Sequence, residues 1–327
     1  MKENMFSIVV FTYNQAHIVT ETLDSIYNQT FRNIELIISD DASKDSTQEV
    51  IKHWLQEHND RFVNVIVNFN VENLGIVKNY YTGLKLVNGE FVKPIAGDDI
   101  LLPDSIEKMH NFLLDNSRAR FCASKIKAFY TNNGERIFFD ELPNRKLINK
   151  IINADADKQF RLICQENFVP AAGTFFRKNI FDDYGYFGEG FKTIEDWPKW
   201  LQFLLNGEKL YLLDEYTVLY RVHKNSISAS ASQSGDPIFY KDILNIYKDY
   251  ILPNVDKLSL SGAISAVVRA KLYAELLKQG GGARVLKKVR YYKLADPLWW
   301  INFPNYVVGR IVHILRGKKI NKEIFGE

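Results

Sequence analysis

Cysteine is scarce in this chain, which has only Cys122 and Cys164 among its 327 residues. So few cysteines exclude a disulfide framework and a cysteine-based metal site, and both side chains are expected to be buried. Long apolar runs are missing too, because the best candidate, residues 297–309, is interrupted by Pro304 and Asn305. A membrane-spanning helix needs roughly 20 apolar residues, so the sequence predicts none.

A signal peptide is not predicted either, because the apolar run at residues 6–11 is short and leads into polar residues 12–14. The chain is 46% hydrophobic and 13% aromatic, enough for a large buried core, which excludes disorder and a coiled coil. These features predict a cytoplasmic protein that is soluble or peripheral at the inner face of a membrane.

Positive charge is concentrated near the carboxyl terminus, although the net charge is only +3. Residues 278–322 contain eleven Lys or Arg and a single acid. The segment also contains Trp299, Trp300, Phe303 and Tyr306, and such aromatics among cations suit the surface of an anionic membrane. The same segment could instead be a solvated helical cap on the rest of the protein. Nucleic acid is not predicted as a partner, because no recognised binding motif accompanies the charge.

Apolar periodicity predicts alternating strands and helices in the first third of the chain. The predicted order is strand 6–11, helix 16–29, strand 34–39, a helix ending near Trp54, strand 63–69, helix 76–87 and strand 90–95. Such alternation indicates right-handed crossovers in a mostly parallel α/β sheet with helices on both faces. An apolar helix is predicted at 200–205, between further strands at 120–130 and 210–213.

Polar clusters follow three of these strands, at residues 12–14 (Thr-Tyr-Asn), 40–41 (Asp-Asp) and 98–99 (Asp-Asp). Because the carboxyl ends of parallel strands meet at one rim, the clusters are expected to line a single nucleotide-sized cleft. Each cluster alone also fits an ordinary turn or helix cap. The paired carboxylates at 98–99 are well suited to holding a divalent cation against a phosphorylated ligand.

The first strand is not followed by Gly-x-Gly-x-x-Gly, and the chain has no Gly-Lys-Ser/Thr phosphate loop. Dinucleotide-binding and P-loop proteins are therefore not indicated. The charge of a phosphorylated ligand would have to be neutralised in another way, by a cation on the aspartates helped by Lys78 or Arg221.

Several short motifs occur in an order that resembles the family 2 inverting glycosyltransferases, whose fold is called GT-A. The motifs are residues 6–14, 34–45 (IELIISDDASKD), 72–75 (ENLG), 88–90 (NGE), 97–99 (GDD) and 194–197 (IEDW). The resemblance implies a GT-A domain at 1–230, with a nucleotide-binding half at 1–100 and an acceptor half at 101–230. A helical region would follow at 231–327.

The resemblance implies a UDP-sugar donor, bound by Phe11, Tyr13, Asn14, Asp41, Asn73, Lys78, Asp98 and Arg221. Asp41 would accept a hydrogen bond from a pyrimidine N–H, and Lys78 stands where the family often has arginine. Phe11 departs from the family, which commonly has a smaller residue or proline there. Ala96 replaces the first acid of the fuller Asp-x-Asp form, which leaves fewer carboxylates for a cation.

The resemblance also implies a divalent cation, Mg²⁺ or Mn²⁺, with Asp99 as a direct ligand and His223 as a further one. His223 belongs to residues 220–223 (Tyr-Arg-Val-His), which resemble a family element lying over the diphosphate. A lone histidine is more often a structural or surface residue, so this role depends on the resemblance.

Asp196 corresponds to the family's general base, and Glu195 beside it would orient the acceptor or set the environment of Asp196. From the residues alone, capping the helix that follows is the more common role for Asp196, and the resemblance reverses that preference. As a base, the carboxylate would remove a proton from the acceptor hydroxyl while that oxygen attacks the anomeric carbon opposite the leaving diphosphate. An α-linked donor would then give a β-linked product.

The acceptor is expected to be a glycan or lipid-linked saccharide of surface-polysaccharide synthesis. Residues 170–177 and 184–191 contain aromatic side chains that could stack on sugar rings or belong to the core. A sugar-phosphate nucleotidyltransferase is an alternative, but a glycine-rich basic loop would be expected after its first strand. A catalytically silent nucleotide-sugar-binding scaffold is another, and the presence of both Asp99 and Asp196 speaks against it.

Overall fold

A single nine-stranded sheet forms the centre of the computed structural model, which describes residues 2–186, 190–223, 234–283, 285 and 294–298. The strands are β1 (Lys2–Thr12), β2 (Ile34–Asp40), β3 (Asn64–Phe69), β4 (Gly89–Ala96), β5 (Ile100–Leu101), β6 (Phe121–Asn132), β7 (Glu135–Leu142), β8 (Thr174–Arg177) and β9 (Leu210–Arg221). Their order across the sheet is β3-β2-β1-β4-β8-β6-β9-β5, and β7 pairs with β6.

Helices cover both faces of this sheet within the described ranges. They are α1 (Val19–Tyr27), α2 (Thr47–His58), α3 (Ile76–Leu84), α4 (Ser105–Asp115), α5 (Arg145–Ile152), α6 (Ala156–Ile163), α7 (Asn179–Tyr184), α8 (Asp196–Leu205), α9 (Pro237–Ile246) and α10 (Leu260–Lys278). A π-helical turn (Tyr247–Ile251) and a 3-10 segment (Leu252–Lys257) join α9 to α10.

The first four long strands form a parallel unit. β1 pairs in parallel with β2 and β4, and β2 pairs in parallel with β3. Every residue of β2 is buried, as expected for a parallel strand that is covered on both faces. Helix α1 packs on the sheet because Val19, Leu23 and Ile26 share one face and are all buried. The predicted alternation is confirmed here, and it brings the ends of β1, β2 and β4 side by side.

The second half of the sheet is mixed. β6 runs parallel to β9, whereas β8 is antiparallel to β4 and β6, and β5 and β7 also form antiparallel pairs. The α/β class is therefore confirmed, although the prediction of a mostly parallel sheet holds only for the first half. The sequence does not predict β8, which has only four residues. A Cβ on Gly173 would lie 2.6 Å from the Ser124 carbonyl oxygen, so glycine lets the chain approach β6 there.

Aromatic packing fixes the layer between the second half of the sheet and α8. The ring centroids of Phe121 and Trp200 are 4.7 Å apart, and those of Phe176 and Trp200 are 5.7 Å apart. Phe175 and Phe176 are fully buried. These two aromatic residues of segment 170–177 therefore belong to the core, and the alternative role of stacking on a sugar is excluded for them.

The carboxyl-terminal helices α9 and α10 bury apolar residues in the same cluster as Trp200. An ion pair between Arg269 Nε and Asp296 Oδ2, 2.8 Å long, holds the last described segment against α10. In the part of the chain that the structure describes, no helix combines the length and the apolar character needed to cross a bilayer. The four aromatic residues predicted to contact a membrane, at 299–306, lie outside the described residues.

Candidate active site

The ends of β1, β2 and β4 form a polar rim. The Asp41 N–H donates to the Thr12 carbonyl oxygen at 2.9 Å. The Gly97 N–H donates to the Phe11 carbonyl oxygen at 2.8 Å, and this bond joins the end of β4 to the end of β1. A Cβ on Gly97 would lie 2.6 Å from Thr12 Cγ2 and 2.5 Å from Gln15 Oε1, so glycine lets these loops pack closely without moving either side chain. The three polar clusters predicted from the sequence thus meet at one rim.

Asn14 connects the loop after β1 to the loop after β2. Its φ of 54° is a left-handed conformation, which asparagine adopts more readily than most residues. Its N–H donates to Ser43 Oγ at 2.8 Å, and its Oδ1 accepts from the Lys44 N–H at 2.8 Å. The neighbouring Tyr13 is 41% exposed. The Tyr13 ring is therefore open to a ligand, whereas the Asn14 side-chain oxygen already holds a loop.

Asp41 is buried, and its carboxylate holds the loop that leads into α3. Oδ1 accepts from the Leu74 N–H at 2.8 Å and from Asn70 Nδ2 at 3.1 Å. Oδ2 accepts from the Gly75 N–H at 2.9 Å, and a carboxylate oxygen can accept one bond more. The exposed Asn73 donates its amide to the Asp41 carbonyl oxygen at 3.3 Å. Asp41 thus organises this loop and keeps one acceptor position on Oδ2.

Phe11 is stacked on Tyr80 of α3, with ring centroids 4.0 Å apart and planes at 18°. One face of the Phe11 ring is therefore covered, and its side chain is buried. Lys78 lies on the same helix with its side chain exposed. The sequence did not identify Tyr80, because an aromatic residue in an amphipathic helix usually belongs to the core.

The electrostatic surroundings of Tyr80 connect two parts of the site. Burial raises the pKa of Tyr80 well above its ordinary value, and the negative charges of Glu195, Asp196 and Asp99 raise it further. Asp99 follows β4, whereas Glu195 and Asp196 stand where α8 begins. Because all three charges act on one phenol, the carboxylates of the rim and those of α8 face a common region.

Asp99 is buried at the rim and is held by the end of β9. Its Oδ1 accepts from the Arg221 N–H at 2.9 Å, and its carbonyl oxygen accepts from Thr22 Oγ1 at 2.8 Å. Burial, followed by the charge of Asp98, raises the pKa of Asp99 well above its ordinary value. Asp98 Oδ2 lies 2.8 Å from His223 Nε2. The structure thus brings residues 98, 99, 221 and 223 together.

The Arg221 guanidinium is enclosed by protein groups. Its Nε donates to the Asp98 carbonyl oxygen at 2.9 Å, and one Nη donates to Thr131 Oγ1 at 3.0 Å. The other Nη pairs with the Glu21 carboxylate, and the guanidinium lies 4.7 Å from the Phe129 ring centroid. A phosphate that contacted Arg221 would have to compete with Glu21, a residue that the sequence did not suggest.

The donor atoms of this corner fit a cation only in part. Among the described residues, no three His, Cys, Asp or Glu side chains are grouped so that they could hold a metal ion. Asp98 Oδ2 and His223 Nε2 lie 2.8 Å apart, which is a hydrogen-bonding distance, so both could bind one cation only after the proton between them has left. Magnesium sites commonly use one or two carboxylates and complete the shell with phosphate oxygens and water. A cation here would therefore depend on a bound diphosphate.

Asp196 is the first residue of α8, and donors hold both of its carboxylate oxygens. Oδ2 accepts from Asn167 Nδ2 at 2.8 Å, and Oδ1 accepts from the Trp197 N–H at 2.6 Å. Burial raises the pKa of Asp196, and these two donors oppose that rise. Burial, followed by the charge of Asp196, raises the pKa of Glu195 to about 8. Glu195 is therefore largely protonated at neutral pH.

A mixed α/β sheet with carboxylates at one rim and an acid at the start of a facing helix is the arrangement of the GT-A glycosyltransferase fold, and two solved structures share this fold. Staphylococcus aureus TarS 1–349 in complex with UDP-GlcNAc matches with a TM-score of 0.59 and 22% identity, over 81% of this chain and 72% of that one. The Pyrobaculum calidifontis mannosyltransferase PcManGT, in complex with GDP-Man and Mn²⁺, matches with a TM-score of 0.56 and 17% identity, over 90% and 86%. At such low identity these likenesses establish the fold alone, and the predicted GT-A fold is confirmed.

The chain belongs to glycosyl transferase family 2, whose sequence profile matches residues 7–185. It is 24% identical to glycosyltransferase GlyG of Streptococcus pneumoniae, over 89% of this chain and 91% of GlyG. It is also 24% identical to the Campylobacter jejuni GalNAc(5)-diNAcBac-PP-undecaprenol beta-1,3-glucosyltransferase, over 83% of each chain. The prediction that the protein is a glycosyltransferase, related to bacterial surface-polysaccharide enzymes, is confirmed.

Proposed function

We propose that the protein transfers a hexose from a UDP-sugar to a hydroxyl group of a glycan or lipid-linked acceptor, with inversion at the anomeric carbon. The observation that carries the proposal is the position of Tyr80, which lies within electrostatic range of the carboxyl groups of Asp99, Glu195 and Asp196. A transferase of this kind needs its diphosphate-binding corner and its base on opposite faces of the anomeric carbon. The UDP-GlcNAc complex of TarS and the lipid-linked substrate in the name of the Campylobacter relative support the substrate classes.

On the donor side, we assign nucleotide-sugar binding to the eight residues predicted for it, some as direct contacts with the ligand and others as residues that shape the pocket. The exposed Tyr13 supplies a ring for the base, and Asp41 keeps one acceptor position for a pyrimidine N–H. The exposed Asn73 and Lys78 flank the same loop and helix. Phe11, Asn14 and Arg221 are engaged by protein neighbours, so they shape the pocket more than they contact the ligand.

Asp98, Asp99 and His223 would hold Mg²⁺ or Mn²⁺ when the diphosphate is bound. Asp98 and His223 lie within 2.8 Å of each other, and among the described residues the hydrogen bond that the Asp99 carboxylate accepts is the one from the Arg221 N–H to Oδ1. The bound cation would offset the negative charge that develops on the leaving diphosphate. His223 would bind the cation through a neutral imidazole nitrogen.

On the acceptor side, Asp196 is the general base. The acceptor oxygen forms its bond to the anomeric carbon while the bond to the diphosphate oxygen breaks, and Asp196 takes the hydroxyl proton. Attack from the face opposite the diphosphate converts an α-linked donor into a β-linked product. The raised pKa of Asp196 makes it a stronger base than an exposed aspartate, provided that it is ionised at working pH.

The decisive experiment replaces Asp196 by Asn and separates binding from transfer. UDP-GlcNAc, UDP-Glc and GDP-Man are tested as donors with Mn²⁺ or with a chelator, by thermal shift and by nucleotide release. Asp196→Asn should keep donor binding and lose about 10²–10⁴-fold in turnover, as expected for removal of a general base. Asp182→Asn, which changes an exposed acid of α7, is the matched control.

Three outcomes would contradict the proposal: no nucleotide sugar binds, the product keeps the anomeric configuration of the donor, or Asp196→Asn remains fully active. Proton NMR of the product gives the configuration. Pyrophosphate release from UTP and a sugar phosphate would instead identify a nucleotidyltransferase. Biological activity that survives in Asp196→Asn would identify a scaffold.

We also propose that the enzyme works in the cytoplasm, at the inner face of a membrane, through the basic residues 278–322. The eleven cations of that segment should each contribute about 1 kcal/mol of attraction to anionic lipid. The full chain should therefore sediment with phosphatidylserine vesicles at low salt and not with phosphatidylcholine vesicles. Equal sedimentation with both would contradict an electrostatic attachment.

A further inference from the structure

Asn167 is a polar residue next to the base that the sequence motifs did not identify. It lies between α6 and the 3-10 turn Ala171–Gly173, and its side chain is half-buried. Its Nδ2 donates to Asp196 Oδ2 at 2.8 Å, while the Trp197 N–H holds the other oxygen at 2.6 Å. With a donor on each oxygen, the plane of the Asp196 carboxylate is fixed.

The other end of the Asn167 amide is incomplete. Its Oδ1 is buried and has no hydrogen-bond partner among the described residues. Turning the amide over would place this oxygen against the Asp196 carboxylate, so the orientation in the structure is the favourable one. Buried acceptors normally have a donor, and an exception next to a reactive group needs an explanation. A ligand hydroxyl would supply the missing donor.

We propose that Asn167 is a positioning residue for Asp196 and that its Oδ1 accepts a hydrogen bond from a second hydroxyl of the acceptor sugar. The inference rests on the proposed function, because it takes Asp196 as the base. Oδ1 and Nδ2 share one carbon, so Oδ1 lies directly beside the bond that holds the base. An acceptor with two neighbouring hydroxyls would therefore present one to Asp196 and the other to Asn167.

The chemistry at Asn167 involves no proton transfer. The amide nitrogen stabilises the charged form of Asp196, and the amide oxygen only accepts a hydrogen bond. The other titratable groups that act in this region are Glu195, adjacent in sequence, and Tyr80, whose phenol experiences the charge of Asp196. Asn167 differs from both because it orients the base without competing for its proton.

The first test titrates Asp196 directly and needs neither donor nor acceptor. The carbon-13 signal of its carboxyl, assigned by its loss in Asp196→Asn, is followed with pH in the wild type, Asn167→Ala and Asn167→Asp. Losing the donor should raise the midpoint by about 1 pH unit in Asn167→Ala, and the added charge should raise it further in Asn167→Asp. Asn167→Gln, which keeps an amide, should restore part of the shift.

The control is Asn153→Ala, which removes an exposed asparagine at the end of α5. If Asn167 had only a structural role, Asn167→Ala would lower the melting temperature and leave the Asp196 midpoint where it is. An unchanged midpoint therefore overturns the positioning role. Because this titration is independent of turnover, its failure is distinguishable from failure of the proposed function, which the donor-binding experiment reports.

The second test addresses Oδ1 with nitrophenyl glycosides of GlcNAc, GalNAc and glucose as acceptors, and with their monodeoxy analogues. Removing the hydroxyl beside the reacting one should lower kcat/KM about 10–100-fold in the wild type, the equivalent of one buried hydrogen bond. In Asn167→Ala the same analogue and its parent should react almost equally. If the wild type fails to discriminate between any analogue and its parent, Oδ1 does not bind a hydroxyl.

Discussion

Replacing Asp41 by Asn tests whether this carboxylate holds a loop or contacts a nucleotide base. The side chain accepts three hydrogen bonds, from the Leu74 N–H and Asn70 Nδ2 on Oδ1 and from the Gly75 N–H on Oδ2. An amide has the same shape but only one acceptor oxygen. Its best orientation keeps the two bonds of Oδ1 and turns NH₂ towards the Gly75 N–H.

The magnitude follows from this geometry. Leaving a buried N–H without an acceptor costs about 1–3 kcal/mol, and the two remaining bonds lose the extra strength that a charged acceptor gives them. We therefore expect Asp41→Asn to reduce the free energy of unfolding by about 2–4 kcal/mol. For a domain of this size, that corresponds to a fall in Tm of about 4–10 °C.

The assay is differential scanning fluorimetry of the wild type, Asp41→Asn and the control Asp60→Asn, with and without UDP or CDP. Asp60 is exposed, so its replacement should leave Tm unchanged. If the remaining position on Oδ2 binds a uracil N–H, the preference for UDP over CDP should also narrow in Asp41→Asn. A Tm within about 1 °C of the wild type would refute the reasoning, because the three loop hydrogen bonds would then contribute little.

Three further predictions concern buried groups. Because the pKa of Glu195 is raised to about 8, Glu195→Gln should keep most activity at pH 7 and abolish any change in the pH–rate profile near pH 8. Lys93 is fully buried and donates to three backbone carbonyl oxygens, and burial lowers its pKa to about 7. Above pH 7 the unfolded protein therefore binds more protons at Lys93 than the folded protein does. In urea titrations at pH 9, the free energy of unfolding of Lys93→Met should therefore be about 2–4 kcal/mol lower than that of the wild type. This difference should shrink by on the order of 1 kcal/mol for each pH unit down to pH 7. A Cβ on Gly83 would lie 2.6 Å from the Phe11 ring. In Gly83→Ala, overpacking should cost about 1–3 kcal/mol, which exceeds the gain of about 1 kcal/mol in helix propensity, so the free energy of unfolding should fall. The control Gly262→Ala should be tolerated. A stabilised Gly83→Ala, a pH-independent Lys93→Met difference or an inactive Glu195→Gln would each contradict its argument.

The sequence predicts the first half of the sheet because each strand there is a buried apolar run that ends in polar residues. The rim at Thr12, Asp41 and Asp98 follows from parallel pairing alone, since parallel strands end on the same side. The second half is not predictable in this way, because β8 pairs antiparallel with β4 and β6, and β5 pairs antiparallel with β9, all of them distant from each other in sequence.

Partners of the site residues also escape sequence reasoning. Asn167 contacts Asp196, which is 29 residues away in sequence, and Glu21 contacts Arg221, which is 200 residues away. Neither Asn167 nor Glu21 belongs to a motif. Their roles depend on how loops and helix faces meet in three dimensions, which local patterns do not encode. The chemistry-bearing acids themselves could be found because they stand next to strand ends and helix starts.

The hydrogen bond from the Arg221 N–H to Asp99 Oδ1 joins residues 122 positions apart. During synthesis on the ribosome, the Asp99 carboxylate is made long before the strand that will satisfy it. Until β9 has left the exit tunnel and docked, the Asp99 carboxylate has to stay hydrated. Its hydration opposes burial of the apolar residues around it. A nascent chain that stops at residue 185, where the family profile ends, would therefore carry most of the rim and still lack the backbone N–H that donates to Asp99.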